Sequence, residues 1–518
     1  MMRRVCIIAL MLFGAGCEVA SGTFNPLECF SIKDCPADLV CFLGACVEPN
    51  FNFTSVYAEL TPPASSSYLE QAYPGSVDVS QGILDMQLRG AVQITGKVLT
   101  DSASPDTTDS QTGMLKASAP STIPGHDVVQ QAAVSASGFT LTVVPGIYDL
   151  TFTPNQGGPP YELPAQSLES DNTLYVPYPD RSSWVQVRGR VRFTPDIPTP
   201  VDGATVTGTA TGAGGTNLRS SDALTNSIGE YLLEFPPGAE VFCVSIGPGT
   251  NLMVPETQKC GLTLASPDGY VDDIFLGVSS AHVTVNATVM DTTGERVGRA
   301  SVVFDGSVGE GHFTTSGSTT DDGGVQSLLW PGDYMVTVAP YRTDPWALST
   351  APVTITSDQP VTLYVGNKVA LSGTVYAFDG SPVSGAIVTV SRRGVALQRE
   401  FSITTASDGT YSLAIDPGDA TADAEYELTV QPDLTSRLPY FRELLRVGVT
   451  ETQHDVRLYD ATLAAGRVCD PGGTPLADVV IAFYSVDLGT PQQPFLVGVG
   501  RTNELGEFVV PLPQLQQP

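Results

Sequence analysis

Basic residues are scarce in this chain. Lys and Arg number 25 against 55 Asp and Glu, a formal net charge of −30 over 518 residues. Neutralising phosphates takes clustered Lys and Arg, so nucleic-acid binding through a basic face is excluded. Charged residues of both signs make up only 15%, against roughly 25% in an average soluble chain. The acidity is spread out, which reads as a solubilising, self-repelling surface. Histidine is rarer still: His126, His282, His312 and His454 lie far apart, none in H-x-x-E or H-E-x-x-H, so a zinc-peptidase site is not expected. The Gly-rich turns GPGTN (247–251) and DDGG (321–324) lack the Lys and following helix of a phosphate loop, and no G-x-S-x-G elbow occurs. Asp272–Asp273 and Asp321–Asp322 are adjacent acids, which a strand would point to opposite faces. GEGHF (309–313) reads as a loop with His312 solvated. The expectation is no enzyme, no cofactor and no metal. Beyond the first residues no stretch reaches the 18 or so apolar residues of a membrane-spanning helix.

Glycine (51), proline (40) and 42% apolar residues are abundant, a mixture that suits short strands joined by many turns. One phrase recurs. Its opening strand appears as VQITGKVL (92–99), VQVRGRVRF (185–193), VTVNATVMD (283–291), ALSGTVYAF (370–378) and LAAGRVCD (463–470). The central residues Gly96, Gly189, Ala287, Gly373 and Gly466 are 93, 98, 86 and 93 positions apart. A turn closing in Gly follows (NSIGEY, SDGTY, NELGEF), then a strand with alternating core residues such as Tyr411, Leu413 and Ile415. A later strand repeats the alternation and stops at Pro154, Pro340 or Pro432, where the missing N–H ends ladder pairing. About seven strands per copy is the count of an immunoglobulin-like sandwich. The last copy has nothing after VVPLP (509–513) but QLQQP, so it is expected to be incomplete, with an edge open to pairing.

The series G-x-V, G-x-P-[VL]-x-[GD]-A-x-V, D-x-x-G-x-Y and P-G-x-Y-x-[LV]-x-V resembles the carboxypeptidase regulatory-like domain. The resemblance implies a transthyretin-like β-sandwich related to the B-type repeats of collagen-binding adhesins, and it leaves function open. The fold expected is therefore all-β, a tandem array of about five sandwiches. The expected division is a signal peptide (1–16), a Cys-rich segment (17–50), a first sandwich with leading strands (51–182), then sandwiches at 183–279, 280–367 and 368–459, and an incomplete one at 460–518. An isopeptide cross-link, known in some adhesin repeats, needs a core Lys; with only Lys33, Lys97, Lys116, Lys259 and Lys368 beyond the signal, none is expected.

Arg3 and Arg4, the apolar run Val5–Phe13, the small residues Gly14–Gly16 and then Cys17 resemble a bacterial lipoprotein signal peptide. The match departs from the pattern at Gly14, where Leu is usual. It implies cleavage before Cys17, acylation of Cys17 and a stable anchor on two or more chains. Cys29, Cys35, Cys41 and Cys46 fall within 18 residues without a C-x-x-C pair or nearby His, which favours two disulfides over zinc. Three pairings are open at this point. The run resembles Cys-rich segments of exported myxobacterial lipoproteins. Small secreted modules of this kind imply the interleaved pairs Cys29–Cys41 and Cys35–Cys46. In FCVSI (242–246) alternation sends Cys243 outward, and a bridge to Cys260 is expected; Cys469 has no obvious partner. Taken together, the sequence predicts a non-enzymatic envelope lipoprotein, lipid-anchored to the outer membrane, serving as a stalk, scaffold or adhesion surface towards envelope proteins or glycans. The alternative is an array of carbohydrate-binding sandwiches, for which Trp346 is the exposed aromatic candidate.

Overall fold

In a computed structural model the protein is described over residues 28–49, 51, 53–81, 83–100, 110–196, 198–212, 217–264, 269–278, 281–395, 397–418, 422–490 and 493–515. Apart from three short 3-10 turns, its regular elements are strands. None of the described helices is long and apolar enough to cross a membrane.

The fourth sandwich shows the unit. Its strands are A (Val369–Tyr376), B (Ile387–Arg392), C (Glu400–Thr404), D (Thr410–Ile415), E (Ala424–Gln431), F (Phe441–Val447) and a two-part G (Thr452–Gln453 and Val456–Arg457). They form one sheet in the order F-E-B-C and a second in the order G-A-D, with G parallel to A. Leu371, Val375, Val388, Val390, Tyr426, Leu428 and Val430 fill the space between the sheets. The same two sheet orders recur from Val92 to Tyr178, from Val185 to Phe275 and from Val283 to Val365.

The glycine at the centre of strand A has a physical cause. A Cβ on Gly373 would lie 1.9 Å from the carbonyl oxygen of His454 in strand G's approach, and one on Gly96 1.8 Å from that of Leu174. The residue opposite, on strand D, is an aromatic in four sandwiches: Phe139 faces Gly96, Tyr231 faces Gly189, Tyr411 faces Gly373 and Phe508 faces Gly466. In the third sandwich Ala287 faces the smaller Val325. The small residue on A and the large one on D are two halves of one packing solution.

The fifth sandwich overturns the expectation that it is incomplete. Its strands A (Asp460–Cys469), B (Val480–Thr490), C (Gln493–Arg501) and D (Glu507–Gln514) come from the last segment of the chain. Strands E (Ser55–Thr61), F (Gln71–Asp78) and G (Ile83–Gln87) come from the beginning. Strand E lies antiparallel to B, from Tyr57 opposite Tyr484 to Thr61 opposite Val480. Strand G lies parallel to A, from Ile83 beside Ala465 to Gln87 beside Cys469. The sheet orders F-E-B-C and G-A-D are those of the other four sandwiches. The leading strands assigned to a first sandwich at 51–182 therefore belong to the fifth. The first has its own seven strands, while the fifth had an open core that Val56, Ala58, Leu60, Val77, Leu84 and Met86 fill. Burying these side chains contributes roughly 10 kcal/mol or more before chain entropy is counted.

One consequence is topological. Strand G of each sandwich leads into strand A of the next, and the fifth does the same: its strand G passes through Leu88–Ala91 into the first. The fourth feeds strand A of the fifth through Tyr459. The array is a ring of five, closed by pairing inside the fifth sandwich, and not a row with a frayed end.

Candidate functional site

The chemistry-bearing residues gather at the five joints. Between the fifth and first sandwiches, His126 Nδ1 lies 3.2 Å from Glu59 Oε1, and the Tyr484 hydroxyl donates to Glu59 Oε2 over 2.9 Å. Burial, aided by the charges of Glu59 and Glu70, pushes the Tyr484 phenol well above its ordinary range. Thr122 and Arg89 reach across to the carbonyls of Tyr73 and Pro145. Between the first and second, Trp184 stands edge-on to Tyr178, and Arg181 makes bonds of 3.0 and 2.8 Å to Glu234. Between the second and third, the Trp330 indole donates to the Met253 carbonyl, and Glu256 and His312 exchange backbone hydrogen bonds. Here the two cores merge into one buried cluster.

The joint between the third and fourth sandwiches holds a buried ion cluster. Asp416 has no solvent exposure; its Oδ1 accepts from the Leu348 N–H. Arg399 Nε lies 3.3 Å and Arg392 Nη1 3.9 Å from Asp416 Oδ2, close enough for charge pairing but not aligned as hydrogen bonds. Lys368 donates to the carbonyls of Arg342 and Asp344. Burial first, then repulsion from Arg399, holds the Lys368 ammonium below the usual lysine range, while Asp416 and Asp344 oppose the shift. A cleft of ≈ 490 Å³ opens beside this cluster, lined in part by Arg392, Arg393, Pro417 and Glu425.

At the joint between the fourth and fifth, Tyr459 stacks on Phe441, with burial raising its phenol to about 12. The N-terminal Cys-rich module sits here too. It consists of a 3-10 turn (Ile32–Asp34) and a hairpin (Val40–Phe42 with Ala45–Val47), turned by Leu43 at φ 52 and Gly44 at φ 83. Two positive φ values in a two-residue loop are what a type I′ turn requires.

The cysteines of this module form the bridges Cys29–Cys41 and Cys35–Cys46. Cys29, Cys35 and Cys46 also make up a sulfur group compact enough for a metal, but all three sulfurs are committed to disulfides. Cys243 is bridged to Cys260, which lies on strand F (Thr257–Leu262) of the second sandwich. Cys469 is free and half-buried. Cys17 and the signal-like segment lie outside the described residues. GEGHF is only in part a loop: Gly309 and Glu310 make the turn and Gly311–Phe313 open strand C of the third sandwich (Gly311–Ser318), where His312 is exposed as expected, with Nε2 2.6 Å from Asp305 Oδ1. His454 contacts Glu443, and that hydrogen bond raises the imidazole above its ordinary value against the opposing effect of burial. His282 lies edge-on to Trp330. The histidines thus face separate partners and are not brought together. Asp273 is paired with Arg192. Trp346 is half-buried against the merged core and bridged to Asn367, so it offers no open platform. The turn carboxylates Asp379, Asp408 and Asp433 sit below the usual range because the hydroxyl and N–H two residues on bond to them.

Sequence reasoning missed Asp416, Arg399 and Arg442: their ion pairs lie within the fourth sandwich, but a neighbouring body covers them through Leu348 or Leu43, and such a contact has no periodicity to betray it.

No family model matches the chain, and no curated relative was found. Solved structures to which the chain is weakly similar include a streptococcal ancillary pilin, 10% identical at a TM-score of 0.23, covering 53% of this chain and 98% of that one. The shaft pilin SpaA of Lactobacillus rhamnosus GG is 10% identical at 0.19, covering 34% and 97%. BcpA, the major pilin subunit of Bacillus cereus, is 13% identical at 0.14, covering 54% and 100%. Scores this low place no constraint on how the sandwiches of this chain are assembled or what they do.

Proposed function

We propose that the protein is a non-enzymatic scaffold or adhesion surface of the cell envelope, a ring of sandwiches held by a lipid on Cys17. The observation that carries this reading is the closure of the fifth sandwich by Ser55–Gln87. The segment that follows Cys17 leads into the module on the fourth and fifth sandwiches, so the anchor joins the ring at one place. Sandwiches one to three are then free to meet partners. The side chains at the joints serve pairing: their carboxylates face guanidinium or imidazole groups and their tyrosines face carbonyls or carboxylates, an arrangement suited to fixing angles between rigid bodies. The outer membrane is the expected site. The carbohydrate reading loses its Trp346 platform.

The test is metabolic labelling with a palmitate analogue in a diderm host, followed by protease shaving of intact cells. Wild type is expected to carry label and to fractionate with the outer membrane; Cys17→Ser is expected to lose both. Label that persists in Cys17→Ser, or an unlabelled wild type, would contradict the anchor.

A further inference from the structure

We infer that the disulfide module is a clasp that fixes the angle between the fourth and fifth sandwiches and so tensions the ring. One side of the module is built into the fifth sandwich. Phe42, Leu43, Ala45 and Val47 are at most 6% exposed and share a buried cluster with Ile481, Phe483 and Val510. The other side is gripped by three arginines of the fourth. Arg442, itself only 6% exposed, donates through Nη1 to the Leu43 carbonyl over 2.9 Å and through Nη2 to Glu427 over 2.6 Å. The same guanidinium lies 3.9 Å over the Phe495 ring of the fifth sandwich, so one side chain touches all three bodies. Arg393 makes bonds of 3.1 and 2.9 Å to Glu28, and the Arg446 guanidinium lies 3.9 Å over Phe30. Tyr459, at the peptide link between the two sandwiches, is capped from the module by Phe42 at 4.7 Å.

A segment of about 20 residues cannot bury enough apolar surface to keep its own shape, so its two disulfides do that work. The hairpin that delivers Leu43 to Arg442 carries Cys41 and Cys46, each tied back to the 3-10 side of the module. Without the bridges the Leu43 carbonyl and the Phe42 ring lose their fixed positions, and Arg442 is left buried with one acceptor fewer. A dithiol reductant would release the clasp by giving two electrons and two protons to each bridge, which becomes two thiols as the dithiol becomes a disulfide. The inference does not depend on the lipid anchor.

Two variants of the full chain separate the clasp from folding. Cys29→Ser/Cys35→Ser/Cys41→Ser/Cys46→Ser removes the bridges. Gly44→Val keeps them but places a side chain where a Cβ would lie 2.8 Å from Arg442 Nη1, at a φ of +83° that β-branched residues avoid. The readout is amide hydrogen exchange of Phe441–Val447 and the Tyr459 link, with the second sandwich as internal reference. Both variants are expected to speed exchange there by about tenfold or more while the reference is unchanged. Unchanged exchange at the link in the Gly44→Val protein would overturn the inference. So would acceleration spread evenly over all five sandwiches, which would make the module a general stabiliser.

Discussion

Leu60→Asp is expected to unfold the fifth sandwich and leave the second and third intact. Leu60 has no exposure and sits on strand E opposite Ile481, 421 positions later in the chain. Placing a carboxylate there removes a buried leucine and leaves a charge with no partner. Together these cost on the order of 5 kcal/mol, a large part of the stability of one domain. The loss should be read at Val480–Arg501 and Glu507–Gln514 by hydrogen exchange, because those strands share a core with Leu60. The merged second and third sandwiches have a separate buried cluster and should keep their protection. If the leading strands instead decorated the first sandwich, the damage would appear at Val92–Tyr178 and residues 460–515 would be untouched.

The second large effect is expected at the joint of the third and fourth sandwiches. Asp416→Ala removes the carboxylate that Arg399 and Arg392 face, leaving the buried Arg399 without its counter-charge. Breaking a buried pair in this way costs about 3–5 kcal/mol. Asp416→Asn should cost less, because its carbonyl oxygen still accepts from the Leu348 N–H. Asp416 acts to raise the Lys368 pKa, so both substitutions should lower it further. Lysine deprotonation followed by NMR, beside chemical denaturation watched through a probe in the fourth sandwich, would report both effects. Equal stability of wild type and Asp416→Ala would mean that solvent reaches the cluster.

Much of the sandwich itself was legible in the sequence. The alternation Tyr411, Leu413, Ile415 marks a strand with one buried face, and all three are buried. The turn glycines Gly229, Gly409 and Gly506 do adopt positive φ, and Asn226 and Asn503 accept the turn N–H groups as asparagine in such turns should. The closure was written there too, although out of order. Val56, Ala58 and Leu60 alternate and run into Pro62, as every other strand E alternates and runs into a proline. Reading along the chain assigned that strand to its sequence neighbour, because periodicity specifies the face a strand buries and not the partner it pairs with. The joints were invisible for a related reason. Arg442 and Asp416 occupy positions that local pattern treats as surface charge; only the folded arrangement puts a second body over them.

Everything distinctive about this molecule depends on strand E of the fifth sandwich coming from the chain's beginning. Thr61 and Val480 are paired across strands E and B. Oxidising a Thr61→Cys/Val480→Cys variant and mapping its peptides by mass spectrometry tests that pairing directly. The ring predicts a 61–480 disulfide within a monomeric chain. A row of sandwiches with a frayed end predicts no such link, and a 61–480 disulfide found only between chains would show that the strands are exchanged and the ring is open.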